Sequence, residues 1–200
     1  VYGIHELLNH LHRYVYPAHR LDRKTSGVLL FALNKEALRL IRASFDNLEI
    51  EKSYFCILRG FTPESGRIDY PLKKDNGTLQ DAITDYVTIK HSEINVPFGG
   101  HETSRYSLVK AMPKTGRMHQ LRRHFAHIFH PIIGDRPHGC NKQNKLFLNK
   151  WNLTKMMLHA SNLTFIHPIT KEMISINAAP SLEFERMLRV LQLDRSDITG

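Results

Sequence analysis

A polar loop, His19-Arg20-Leu21-Asp22-Arg23-Lys24-Thr25-Ser26-Gly27, empties directly into the apolar run Val28-Leu29-Leu30-Phe31-Ala32-Leu33. One carboxylate, Asp22, stands among three cations, and Gly27 releases the chain into an aliphatic segment typical of a buried strand. A chain built this way can present an acid from the end of a rigid sheet. Loop aspartates also close turns and pair with nearby cations, because they satisfy local backbone donors. The loop alone does not choose between these uses.

The rest of the chain alternates between strand and helix patterns. Ile4, Leu7, Leu8 and Leu11 recur at helical spacing over residues 4–12, closed by Pro17. Asn34 is placed to cap a helix running to about Asp46, with Ala37, Leu38, Ile41 and Phe45 as its core stripe. Strands are predicted over residues 28–33, 53–58, 83–89 and 106–111, the last two separated by a Pro-Phe-Gly-Gly turn. Turn signals at Pro63-Glu64-Ser65-Gly66 and Asp75-Asn76-Gly77 flank a short apolar segment, Ile68 to Leu72. A helix is predicted from Arg117 to about Phe129, stopped by Pro131, followed by an irregular surface loop over residues 134–152. A hairpin over residues 162–177 and a helix capped by Ser181, carrying Phe184, Met187, Leu188 and Leu191, complete the chain. The sum is an α+β fold, a mixed α/β sheet with helices packed against it, in a single domain of 200 residues.

Charge narrows the choice of partner. Twenty-eight Lys and Arg against nineteen Asp and Glu give a net charge of +9, the footprint expected of a protein that binds phosphate backbones and equally compatible with a merely basic, soluble enzyme. No apolar run reaches the roughly 18 residues of a membrane span, so no membrane partner is expected. Only Cys56 and Cys140 are present, far apart, which suits the reducing cytoplasm and offers no sulfur-based metal site.

The second informative stretch is Pro113-Lys114-Thr115-Gly116-Arg117-Met118-His119-Gln120-Leu121-Arg122-Arg123-His124. On a helix, Met118, Leu121, Phe125, Ile128 and Phe129 share an apolar face, and Arg122 falls inside that arc near its edge. A guanidinium on a buried face needs an anionic partner unless its head snorkels to solvent. Asp22 is the obvious partner, and the pairing would hold that carboxylate ionised at neutral pH. His119, His124, His127 and His130 crowd the same segment, but no HExxH arrangement or nearby acid completes a ligand set. They read as solvated or RNA-facing side chains, and no metal is expected. Tyr54, in Glu51-Lys52-Ser53-Tyr54, is either a core residue or a flat surface for stacking on a base.

Four segments together carry a family resemblance. Residues 19–27 are similar to the HRLDxxTSG signature of the RluA-type pseudouridine synthases, and residues 51–54 to their tyrosine segment. Residues 115–122 resemble the family's GRxHQ(I/L)R motif, and Met157-Leu158-His159-Ala160 its LHA segment. Ser104-Arg105-Tyr106, Arg122-Arg123-His124, His130-Pro131-Ile132-Ile133-Gly134-Asp135 and His138-Gly139 resemble the branch that modifies a tRNA uridine at conventional position 65, at the base of the T-stem. The family's Asn-Lys-Pro-x-Gly segment has no counterpart ahead of the aspartate loop, so the chain is expected to lack its N-terminal segment.

The resemblance implies a pseudouridine synthase fold, largely an antiparallel mixed sheet with flanking helices and a central cleft, and an isomerase that needs no cofactor. It implies Asp22 as the catalytic aspartate, Tyr54 as the tyrosine that packs on the target base, and Arg122 as the arginine that pairs with the aspartate. A uridine in a stem must be flipped out before its C1′ can be reached, at a cost of a few kcal/mol in stacking. Arg20, Arg23, Lys24 and Arg123 are expected to hold phosphates around it. Thr25, Arg117, His119 and Gln120 complete the expected RNA-binding set. The expected partner is RNA, with the protein a cytoplasmic monomer. Ribosomal RNA as substrate, an RNA-binding module without activity and, more distantly, a metal-dependent RNA hydrolase are the competing readings.

Overall fold

The computed structural model describes Leu8 and residues 14–193. Apart from Leu8, the helix predicted over residues 4–12 lies outside the described residues. The described elements run β1 (Tyr16–Pro17), β2 (Ser26–Gly27), β3 (Phe31–Ala32), α1 (Lys35–Asp46), β4 (Glu51–Arg59), β5 (Ser65–Asp69), β6 (Leu72–Lys73) and β7 (Leu79–Gln80). They continue with β8 (Ile83–Ile94), β9 (Ser104–Pro113), α2 (Gln120–His127), α3 (Asn141–Trp151), β10 (Leu158–Ile166), β11 (Met173–Asn177) and α4 (Leu182–Val190).

A seven-stranded sheet organises the molecule, in the order β11-β10-β4-β9-β8-β5, with β2 added alongside β10. Every pairing along that path is antiparallel, and only β2 on β10 is parallel. This is the largely antiparallel mixed sheet expected from the sequence. Side chains alternate between its two faces because the strand period is two. Ile57 of β4, with Tyr106 and Leu108 of β9, packs on one face against Phe147 of α3 and Phe184, Met187 and Leu188 of α4. Cys56, Leu58, Val109 and Ala111 point to the other, against Leu121 and Phe125 of α2. A third cluster joins Ile41 of α1 to Ala32 of β3 and to Leu163 and Phe165 of β10. Caps set the helix starts: Asn34 Oδ1 accepts from the Ala37 N–H, and Ser181 Oγ from that of Phe184.

Several expectations need correction. Residues 28–33 do not form one strand, because the chain changes partners within them. Val28 N–H donates to the Ala160 carbonyl, whereas Phe31 and Ala32 pair with β1, and Leu33 is exposed. Ser65 and Gly66 belong to β5, not to a turn. A side chain at position 66 would place its Cβ 2.7 Å from the Tyr86 ring, so the glycine serves cross-strand packing. The helix predicted from Arg117 begins at Gln120, since His119 adopts a left-handed backbone with φ 54°. Met118 and Phe129 therefore fall outside it and are exposed, leaving the apolar face to Leu121, Phe125 and the partly buried Ile128. Residues 134–152 are not an irregular loop. They contain α3, whose polar composition hides a narrow buried stripe of Gln143 and Phe147 at i and i+4. No helix among the described residues is long and apolar enough to cross a membrane.

Candidate active site

The loop carrying Asp22 is tied down on both flanks, to its own following segment on one side and to the sheet on the other. On its entry side, Ala18 N–H donates to the Leu30 carbonyl and His19 Nε2 accepts from the Leu30 N–H at 3.1 Å. On its exit side, β2 pairs with β10 in register His159↔Ser26 and Ala160↔Gly27. Gly27 has φ 113°, and a Cβ there would stand 2.0 Å from the Ala160 carbonyl oxygen, so only glycine admits this approach. His159 secures the joint. Its Nε2 donates to the Ala178 carbonyl at 3.0 Å, which leaves Nδ1 to accept from the Ser26 hydroxyl at 2.8 Å. Burial lowers the His159 pKa, consistent with this neutral, fully bonded ring. Within the loop, Thr25 N–H donates to the Asp22 carbonyl and closes a turn.

Arg122 meets Asp22 from α2. Its Nη1 donates to Asp22 Oδ2 at 3.1 Å, while Nε and Nη2 donate to Asp135 Oδ2 and Oδ1 at 2.9 and 2.8 Å. The Arg122 side chain is 8% exposed, Asp135 1% and Asp22 23%. The pair predicted from the helix face therefore forms, and snorkelling is excluded. What the sequence reading missed is Asp135, which grips the guanidinium in a bidentate fork and aims its remaining edge at the more open Asp22. The turn carrying Asp135 is fixed in turn by Asn144 of α3, whose Nδ2 donates to the Asp135 carbonyl and whose Oδ1 accepts from Gly134 N–H.

Asp22, Tyr54 and Arg122 line one open cleft of about 400 Å³. Arg20, Thr25, Arg117, His119 and Gln120 line it too, with Phe45, Pro113, Leu121 and Leu158 supplying apolar wall. Burial, then the charge of Asp22, pushes the Tyr54 phenol up to about 12, so it keeps its proton at neutral pH. Thr25 Oγ1 is buried with no hydrogen-bond partner in the protein. Lys52, to which the sequence reading gave no role, also faces the cleft.

Some predicted RNA contacts are placed differently. Gln120 is wired into the protein: its Oε1 accepts from Thr115 Oγ1 and Arg117 N–H, and its Nε2 donates to the Ile83 carbonyl and Thr84 Oγ1. It thus fixes the turn that presents Arg117. Arg123 donates to the Lys73 carbonyl on the outer side of α2, and Arg23 and Lys24 do not line the cleft. Lys24 instead faces a neighbouring groove of about 180 Å³ with Arg136, Lys145 and Lys155.

The histidines also divide. His124 is fully buried, contrary to its reading as solvated or RNA-facing: Nε2 donates to the Tyr70 carbonyl and Nδ1 accepts from Thr84 Oγ1. His127 stacks on Tyr70, and His119 Nδ1 lies 3.0 Å from His138 Nε2. Among the described residues no group of three or more His, Cys, Asp or Glu is arranged to hold a metal ion.

The fold is that of pseudouridylate synthase domains. It matches the human RNA Pseudouridylate Synthase Domain Containing 4 with a TM-score of 0.73 at 22% identity, over 94% of this chain and 82% of that one. The corresponding human protein 1 matches with a TM-score of 0.69 at 24% identity, over 94% and 85%. Sequence makes the relationship specific. The family model described as RNA pseudouridylate synthase matches residues 5–127. The chain is 41% identical to tRNA pseudouridine synthase C of Pasteurella multocida, over 96% of this chain and 84% of the relative. It is 42% identical to the Haemophilus influenzae protein of that name, over 91% and 81%, and 44% identical to the Haemophilus ducreyi one, over 89% and 77%. The chain belongs to the RNA pseudouridylate synthase family, enzymes that isomerise uridine in RNA.

Proposed function

We propose that this enzyme converts a tRNA uridine to pseudouridine at position 65, at the base of the T-stem, with Asp22 as the reacting carboxylate. The observation that carries the reading is the Asp22 carboxylate held at the cleft by an arginine that Asp135 anchors from behind. The relatives' shared name, tRNA pseudouridine synthase C, supports tRNA over ribosomal RNA.

The chemistry breaks the N1–C1′ bond and makes a C5–C1′ bond. Asp22 acts at the sugar as the base departs with the N1–C1′ electron pair. The detached base turns so that C5 faces C1′, the new bond forms, the C5 proton leaves and N1 gains one. Atoms and electrons balance within the substrate, so no redox partner or group donor is required. Arg122 keeps the carboxylate aimed and offsets its charge. Tyr54, protonated at neutral pH, packs against the base and presents a hydroxyl to it. Phe45, Leu121 and Leu158 give the flipped base an apolar seat, which offsets part of its lost stacking. Outside the cleft, the groove of Lys24, Arg136, Lys145 and Lys155 suits the RNA backbone and makes binding salt-sensitive. The reading places the enzyme in the cytoplasm, acting as a monomer.

Mapping pseudouridine in total RNA from cells with and without the gene tests this. The proposal expects loss of the modification at that tRNA position alone. Loss confined to ribosomal RNA, or no loss, would overturn it.

A further inference from the structure

Lys52 stands two residues before Tyr54 on β4, so both side chains leave the strand on the same face, and both line the cleft. Its ammonium folds back over the turn after β9: Nζ donates to the Thr115 carbonyl at 3.4 Å, and a Cβ at Gly116 would lie 3.6 Å from it. Its charged neighbours do not neutralise it. Arg117 repels it, and His19, in the same cleft lining, feels its charge. Among the described residues no carboxylate lies within ion-pair distance of Lys52. Asp22 is committed to Arg122, and burial followed by Arg117 lowers the Lys52 pKa. A half-buried cation beside another cation destabilises the free protein, and an arriving anion relieves that cost.

Arg117 lines the same cleft. Its Nε donates to the Asp81 carbonyl at 2.9 Å, and its backbone N–H is held by Gln120. Lys52 reaches from β4 to the turn that carries Arg117, and two cations brought together on one cleft wall match a singly charged tetrahedral oxyanion. Uracil is neutral when it enters, so the anion that must accompany a flipped uridine is its own phosphodiester.

We propose that Lys52 and Arg117 form a subsite for a phosphodiester flanking the target uridine, anchoring the flipped nucleotide while Asp22 acts at its sugar. This inference rests on the reading of the protein as a uridine-isomerising enzyme. Lys52 then sets substrate position, with the RNA backbone as its ligand.

The test uses the full chain and a T-arm RNA hairpin carrying a neutral methylphosphonate in place of either phosphate flanking the target uridine. Turnover of the unmodified hairpin by the parent enzyme is measured first, and its absence would overturn the underlying functional reading. The subsite predicts that one of the two methylphosphonates weakens binding to the parent by roughly tenfold. The same replacement should weaken binding to Lys52→Gln by only about two- to threefold, the remainder held by Arg117, and Lys52→Arg should restore the parent's sensitivity. Lys52→Gln should also flatten the salt dependence of binding by about one unit of slope. Its melting temperature should not fall, because an uncompensated cation has been removed, so a purely structural role would be exposed by a lower one. Equal methylphosphonate effects in the parent and Lys52→Gln would overturn the subsite. So would a loss confined to kcat with KM unchanged, which would assign Lys52 to charge on the detached base.

Discussion

Two aspartates share one guanidinium in this site, and they should separate cleanly when each is neutralised. Asp135→Asn preserves shape but removes the charge that Arg122 faces through two short bonds, in a pair whose side chains are 8% and 1% exposed. Removing one partner of a buried ion pair typically costs about 3–5 kcal/mol. Here the asparagine oxygen can keep one of the two bonds, and Asp22 remains as a counter-charge, so a loss of about 2–4 kcal/mol is expected. For a chain of 200 residues that corresponds to a drop in melting temperature of roughly 5–15 °C. Asp22→Asn is a milder structural change. It disturbs one bond at 3.1 Å to a carboxylate 23% exposed, and Arg122 keeps its fork, so about 0.5–1.5 kcal/mol is expected. Urea and thermal unfolding of the two variants beside the parent give the comparison. An Asp135→Asn protein within about 1 kcal/mol of the parent, or an Asp22→Asn protein destabilised as much, would refute the anchoring role.

Other expectations follow from the same geometry. Gly27→Ala drives a Cβ onto the Ala160 carbonyl at a positive φ and should cost about 2–5 kcal/mol by denaturant unfolding, with loss of turnover as the loop shifts; a near-neutral variant would contradict the tight β2–β10 joint. Tyr54→Phe keeps the ring and loses the hydroxyl, so single-turnover assays should show product formation slowed by about 10²-fold or more with RNA binding within a few-fold, and unchanged rates would remove the hydroxyl from the chemistry. His19, His124, His138 and His159 all have pKa values lowered from 6.5, chiefly by burial. The unfolded chain therefore binds more protons in the window below 6.5, so stability is full above that pH and falls as the medium is acidified toward the folded-state values. Urea midpoints at pH 7.5 and about 5.5 should show the drop, and His124→Gln should reduce it; a flat profile would contradict the neutral, buried state of these rings.

The strands that build the sheet are legible as apolar, β-branched and aromatic runs bounded by turn signals, more than by alternation, which is irregular in β4 and β9. β4, β9 and the paired part of the β10–β11 hairpin fall within two residues of the predicted bounds, whereas β8 continues past residue 89 to Ile94 and β10 starts ahead of the hairpin at Leu158; Asn34 and Ser181 start their helices by capping chemistry that is local. What was hidden depends on tertiary partners. α3 shows only Gln143 and Phe147 to the core, too thin a stripe among Asn and Lys to signal a helix. The run from Val28 to Leu33 looks like one strand until the chain changes partners within it. At the site, Asp22, Tyr54 and Arg122 could be read from motif and helix face, whereas Asp135 could not. Its role exists only because the turn after α2 carries it back beneath Arg122; the signals available were a lone carboxylate in an otherwise basic stretch and its place at the end of the His130–Asp135 segment that shares the family resemblance. Gln120 and His124 mislead for a related reason: both are polar residues in a basic motif whose hydrogen bonds are consumed inside the protein.

The most direct test of the account is turnover by Asp22→Asn on tRNA labelled with tritium at uridine C5, since forming the new C–C bond must release that label to water. No tritium release above background is expected, while RNA binding stays within a few-fold of the parent and the protein remains folded. Release at a rate comparable to the parent would contradict it, by showing that the carboxylate held by Arg122 does not react.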